Sequence, residues 1–340
     1  ILIVLLSALI LGTLITISSS HWLLAWAGLE MNTLAIIPII SKQHHPRATE
    51  AATKYFLTQA TASTLILLSS SMNAWKTGQW DISQLSTPEA TITLTFALAM
   101  KLGLTPMHFW VLEVLQGSTL PTAMIISTWQ KLAPASLLLL TSNSLNPTTL
   151  ITLGLLSTLV GGWLGLNQTQ IRKIMASSSI AHMGWLFIAL TINPNISLIT
   201  LIIYLLLTTT VFSMLMMTAS KTLLDLGTTS LLTPTLMTTS MISLMSLGGL
   251  PPLTGFMPKW LILTELTPTL PLTSTLLALS TLPSLFFYLR MSQMTTLTLP
   301  PKITPVEHKW RFNSHTPPTN PTAILSMLLL PITPLLMNFN

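Results

Sequence analysis

No cysteine occurs in the 340 residues, so this chain has no disulfide framework, thiolate-bound zinc, iron–sulfur cluster or thiol nucleophile of its own. Charge is almost as scarce. Lys and Arg number 14 and Asp and Glu 8, or 6% of the chain, against about 25% in an ordinary globular protein. So few charges cannot cover the surface of a soluble molecule of this length, and a soluble enzyme is excluded. The formal charge of +6 suggests a basic protein, but the basic residues stand singly and form no stripe that could follow a phosphate backbone. Nucleic acid is therefore excluded as a partner. No Gly-rich fingerprint follows a strand-like run, so no dinucleotide or flavin cradle is expected. Half of the residues are hydrophobic. The polar remainder is mostly Ser and Thr, whose hydroxyls can bond to the carbonyls of their own helix. The chain reads as one dissolved in lipid.

A helix crossing ~30 Å of hydrocarbon needs about 20 apolar residues, and cutting the chain at its Pro, Asn and charge clusters yields about eleven such segments. They cover 1–18, 22–40, 51–73, 90–116 with an interruption, 121–140, 148–166, 171–192, 197–220, 236–266 with a second interruption, 272–294 and 322–337. Lys42, Arg47 and Lys54, then Arg172 and Lys173, then Lys221, then Lys302, Lys309 and Arg311 follow the second, sixth, eighth and tenth segments. All are even, so the basic loops share one side, as the positive-inside rule requires. An odd total places the N-terminus on that side and Asn340 across the membrane.

The two interruptions carry more information than the boundaries. In Ala99-Met-Lys-Leu-Gly-Leu-Thr-Pro-Met-His-Phe-Trp110, Pro106 removes an amide donor and clashes with the preceding turn. In Leu247-Gly-Gly-Leu-Pro-Pro-Leu-Thr-Gly-Phe-Met-Pro-Lys-Trp260, three glycines and three prolines preclude a continuous helix. Backbone freed at membrane depth must be packed in protein or line a wet cavity, and paired broken helices mark ion and substrate paths in inverted-repeat transporters. Each break falls in the fourth segment of a set of five. The expected fold is therefore an all-α polytopic membrane protein of about eleven transmembrane helices, two of them broken. It comprises two inverted five-helix repeats, 1–141 and 148–294, a polar loop over 295–321 and a C-terminal helix over 322–340.

Away from the segment ends four charges remain: Glu30, Lys101, Lys131 and Lys259, with His182 and His108 as polar companions. Each costs roughly 2.5 to 3.5 kcal/mol at a helix centre. At ~1.5 Å per residue Glu30 lies ~12 to 15 Å from either end of its segment, beyond easy snorkelling. It reads as a functional acid or as a protonated partner in a helix–helix hydrogen bond. Lys131 is similarly central, with a snorkelling side chain as the alternative. Lys101 precedes its break, where a helix end presents free carbonyls; Lys259 follows its break, where a helix start presents amides. Either could instead be a structural cation. His182 occupies in the second repeat the helix that Glu30 occupies in the first, and reads as a proton bridge or as a hydrogen-bonded core histidine. Glu113 and Glu265 lie near segment ends, where solvated or interfacial roles are expected.

The segments His21-Trp-Leu-Leu-Ala-Trp-Ala-Gly-Leu-Glu-Met-Asn32, Ala48 to Phe56, Met100 to Trp110, Gly165 to Met175 and Gly248 to Trp260 resemble, in order, the antiporter-like membrane subunits of respiratory complex I. That resemblance implies a proton half-channel in which Glu30 and Lys101 are the Glu–Lys pair, Lys131 the central lysine and Lys259 the lysine of the second broken helix. It also implies the inner mitochondrial membrane, with the basic loops and N-terminus on the matrix side and the C-terminus on the intermembrane side. NADH, FMN, iron–sulfur clusters and ubiquinone would belong to other subunits of an NADH:ubiquinone reductase. The partners would be membrane-arm subunits, neighbouring antiporter-like subunits among them, and phospholipids. Two rival readings are a free-standing cation or solute transporter, active in isolation, and a structural membrane subunit whose buried ions only hold helices in register.

Overall fold

The computed structural model describes residues 2–42, 45–232 and 234–296, and their regular elements are helices. They are α1 (Leu2–Ser18), α2 (Trp22–Ser41), α3 (Pro46–Thr77), α4 (Pro88–Leu102), α5 (Phe109–Gly117), α6 (Leu120–Ser127), α7 (Leu132–Leu140), α8 (Pro147–Gly165), α9 (Ile171–Ile192), α10 (Pro194–Thr218), α11 (Leu223–Leu232), α12 (Pro234–Gly248), α13 (Phe256–Leu266) and α14 (Pro271–Thr296). Six helical stretches among the described residues are long and apolar enough to cross a membrane. The expected C-terminal helix and nearly all of the polar loop lie outside the described residues; positions 295 and 296 belong to α14.

Local chemistry explains the boundaries. Six helices begin on proline, whose missing N–H would be unpaired in a first turn anyway. α3 starts earlier than hydropathy suggests, because Pro46 opens it and His45 Nδ1 accepts the Arg47 amide at 3.2 Å. It ends at Gly78, in the left-handed region at φ +72°. Along the helices the hydroxyls do bond to their own backbone, as Thr13 to Ile10 O at 2.8 Å, Ser69 to Ile66 O at 2.7 Å and Thr95 to Ile92 O at 2.7 Å.

Two elements depart from the expected pattern. The fifth segment is also interrupted, by a 3-10 turn at Trp129–Lys131 between α6 and α7. Pro134 falls in the first turn of α7, where its missing N–H leaves no intrahelical bond unmade. The short α11 was not anticipated at all. It is started by reciprocal capping, in which Asp225 Oδ2 accepts the Thr222 amide at 2.8 Å and the Lys221 amide at 3.1 Å while Thr222 Oγ1 accepts the Asp225 amide at 3.4 Å.

The described residues form two compact units, 2–157 with 183–194, and 158–182 with 195–296. In the first, α1 and α2 cross closely at Gly12 and Gly28: a Cβ on Gly12 would stand 2.9 Å from Gly28 O, and one on Gly28 2.8 Å from Gly12 O. Such small-residue contacts replace the hydrophobic drive that lipid does not supply. α3 packs on α2, α4 and α5. In the second unit α14 packs on α11, α12 and α13, and Arg290 donates to Leu166 O at 2.9 Å.

Candidate functional site

α4 ends at Gly103, which takes φ +77° and sits so close to α5 that a Cβ there would collide with Val111. Lys101 is thereby held in the last helical turn. It is 5% exposed, and its Nζ has no hydrogen-bond partner among the described residues. Across the break Trp110 Nε1 donates to Met100 O at 3.1 Å, pairing a carbonyl at the end of α4. Thr105 and His108 are buried in the interruption, with His108 Nδ1 3.2 Å from Pro106 O. Glu30, on α2, accepts a hydrogen bond from Thr33 Oγ1 at 2.8 Å. Its carboxylate acts electrostatically on both Lys101 and Tyr55, yet no direct ion pair joins it to Lys101 among the described residues. The two charges share a field without touching.

Lys131 closes the 3-10 turn and is buried, at 5% exposure. Its neighbour Gln130 reaches two other helices: Nε2 donates to Asn32 O on α2 at 3.3 Å, and Oε1 accepts from the Tyr55 hydroxyl on α3 at 3.3 Å. Tyr55 in turn packs edge-on against Trp110, with ring centroids 5.7 Å apart.

In the second unit α12 ends with Gly249 at φ +82°, and Lys259 stands in the first turn of α13. Its ammonium does not face that helix's own amides. It reaches back to donate to Gly248 O at 2.8 Å, so Lys259 compensates the carbonyl end of α12. The expected contrast between the two lysines is thus reversed in contact: Lys259 holds a freed carbonyl and Lys101 holds none. The fit is close, since a Cβ on Gly249 would lie 2.8 Å from Lys259 Nζ. His182 Nδ1 lies 2.7 Å from Ser178 O, one turn earlier on α9, and its ring tilts against Tyr204 at 5.5 Å. A carbonyl only accepts, so Nδ1 carries the proton and Nε2 is the acceptor of the neutral ring.

The remaining charges behave as peripheral groups. Glu113 pairs with Lys54, which also lies 2.5 Å from Glu50; the two carboxylates are exposed and the lysine half-buried. Glu265 is exposed. Asp225, between the spans, has its carboxyl held below the usual carboxylate range, chiefly by the Thr222 amide. No cluster of three or more His, Asp or Glu suited to a metal occurs among the described residues.

Glu30, Lys101, Lys131 and Lys259 stood out in the sequence by the expense of a charge within a span, and His182 by its place in the second repeat; in the structure the three lysines are buried and Glu30 and His182 half-buried. It missed Thr33, Tyr55, Trp110 and Gln130. The available signal was weak: Thr33 is one turn from Glu30, and Trp110 and Gln130 lie at helix breaks, while no neighbour in sequence marks Tyr55.

Comparison with known proteins gives consistent matches. Residues 19–286 fit the family model described as NADH:quinone oxidoreductase/Mrp antiporter, TM, and residues 285–337 fit that of the NADH dehydrogenase subunit 2 C-terminus. NADH-ubiquinone oxidoreductase chain 2 of Coturnix japonica is 57% identical over 97% of this chain and 96% of its own length. The protein of the same name from Salmo salar is 55% identical over 98% and 97%. Among solved structures, a chain of respiratory complex I from Thermus thermophilus superposes with a TM-score of 0.86 at 27% identity, covering 98% of this chain and 78% of that one. A chain of the Mrp complex from Dietzia sp. gives a TM-score of 0.75 at 16% identity, covering 83% and 58%, and so shares the fold.

Proposed function

Since the chain belongs to the NADH-ubiquinone oxidoreductase chain 2 family of antiporter-like membrane subunits, we propose that its buried and half-buried ionisable groups form the route by which it moves protons. It is a multi-pass protein of the inner mitochondrial membrane, a proton-translocating antiporter-like subunit of complex I that assembles with other membrane subunits. Glu30, Lys101, Lys131, His182 and Lys259 are its relay. One observation carries this reading: the three buried lysines among the described residues stand at the three helix interruptions. A buried ammonium beside broken backbone is costly twice over, and a purely structural span needs neither.

Lys101 stays protonated while Glu30 is near, because an opposite charge within ~4 to 6 Å favours the ammonium. Withdrawing that field releases the proton toward Lys131 through transient water. Lys259 is the terminal lysine, steadied by the Gly248 carbonyl. His182 accepts on Nε2 and so serves as a bridge. The chain is read as two inverted five-helix units, 1–141 and 148–294, within about eleven spans, each with a broken fourth helix, and the first with an interrupted fifth as well. The basic loops face the matrix. Redox chemistry, with NADH, FMN, iron–sulfur clusters and ubiquinone, belongs to other subunits, and the lateral faces meet neighbouring antiporter-like subunits and phospholipid.

The test is Lys131→Met in the assembled complex. Pumping is lost while assembly is retained. Normal proton-to-electron stoichiometry in that variant refutes the relay, and joint loss of assembly and pumping assigns the lysine a structural role instead.

A further inference from the structure

The interruption of the fifth span presents two consecutive polar side chains, and only the lysine enters the relay above. The side chain of Gln130 is hydrogen-bonded to two other helices: the Asn32 carbonyl on α2 and the Tyr55 hydroxyl on α3, each at 3.3 Å. Asn32 is two residues from Glu30, whose carboxylate is held by Thr33 on the same helix. Tyr55 is fully buried and packs on Trp110, which in turn holds the carbonyl of Met100 beside Lys101. Through one amide, the turn bearing Lys131 is therefore tied to the helix bearing Glu30 and, through Tyr55 and Trp110, to the end of the helix bearing Lys101.

A 3-10 turn has poorer hydrogen bonds than the flanking helices and marks a hinge. Here Lys131 N bonds to Thr128 O at a long 3.3 Å. Its orientation depends on contacts from outside, and Gln130 supplies both a donor and an acceptor for them. We propose that Gln130 is a positioning residue for proton transfer: its amide clamps the Lys131 turn to α2 and α3, so that a shift of the Glu30 helix is transmitted to the lysine that receives the proton. The inference rests on the relay reading and adds a mechanical link to it.

Gln130→Met keeps the length of the side chain and removes both hydrogen bonds, which separates clamping from packing. In the intact complex this variant is expected to assemble and to oxidise NADH at a normal rate, but with its proton-to-electron ratio reduced to that of Lys131→Met. Tyr55→Phe, losing one bond of two, falls between this variant and the wild type. The double variant is no worse than Gln130→Met alone, because Tyr55 then has no amide left to lose. An unchanged ratio in Gln130→Met, beside a lost ratio in Lys131→Met, overturns the clamp and leaves the relay standing. Unchanged ratios in both overturn the relay itself. Should Gln130→Met fail to assemble, Tyr55→Phe decides alone: an intermediate ratio supports the clamp, and a wild-type ratio overturns it.

Discussion

Replacing Gly249 with alanine perturbs the second broken helix at one atom. Gly249 has φ +82°, and a residue with a Cβ in the left-handed region costs roughly 1–2 kcal/mol. The added methyl would also stand 2.8 Å from Lys259 Nζ and 2.9 Å from its Cδ, well inside van der Waals contact, so the lysine must swing away and give up its 2.8 Å bond to Gly248 O. A buried hydrogen bond to a charged group is worth about 1.5–3 kcal/mol, so the total is about 2.5–5 kcal/mol, enough to change where the ammonium sits. Gly78→Ala is the matched control. Gly78 has φ +72° but nothing within 4 Å of its would-be Cβ, so it carries the strain alone, about 1–2 kcal/mol. The assay is proton pumping against NADH oxidation in reconstituted complex, with thermal stability measured alongside. Gly249→Ala should lose pumping and keep electron transfer, and Gly78→Ala should lose only a little stability. Equal pumping in the two variants would refute the claim that Lys259 must hold its present seat.

Three further outcomes follow from the same geometry. Trp110→Phe removes one of the two hydrogen bonds to Met100 O, which keeps the Gly103 amide at 3.1 Å, and should destabilise the complex by about 0.5–1.5 kcal/mol, read as a lowered melting temperature. Asp225→Ala removes the cap of α11 and should cost about 1 kcal/mol, measured as faster amide exchange in that helix. Because the Asp225 carboxyl is held below its ordinary value, its contribution is present above the unfolded carboxylate range, near pH ~4, and fades as pH falls through the depressed folded value; the exchange difference should vanish there. Glu113→Gln breaks a solvent-screened pair with Lys54 and should leave both the melting temperature and pumping unchanged.

Much of the molecule was legible because lipid imposes one strong rule on composition. The bounds of α9, 171–192, emerge from hydropathy alone, and the breaks after Lys101 and Gly248 follow from their clustered glycine and proline. Where a single residue decides, the rule is weaker. Pro134 lies inside an apolar run, as Pro38 and Pro283 lie inside the unbroken α2 and α14, so the turn at Trp129–Lys131 went unread. α11 has ten residues and owes its start to the reciprocal bonds of Thr222 and Asp225, which hydropathy does not register. The buried charges stood out by their expense, whereas their partners did not. Gln130, Tyr55 and Trp110 are ordinary residues for a membrane helix, and only the fold reveals that they link α2, α3, α5 and the turn before α7. Contact direction was also hidden: helix polarity assigned amides to Lys259, but its flexible side chain reaches the carbonyl across the break.

Density for ordered water in the intact complex, at a resolution that places individual molecules, addresses the central claim most directly. A chain of waters joining Lys101 to Lys131, with both ammonium groups turned toward it, is the predicted result. Either lysine facing lipid, or closely packed apolar side chains filling the space between them, would contradict it.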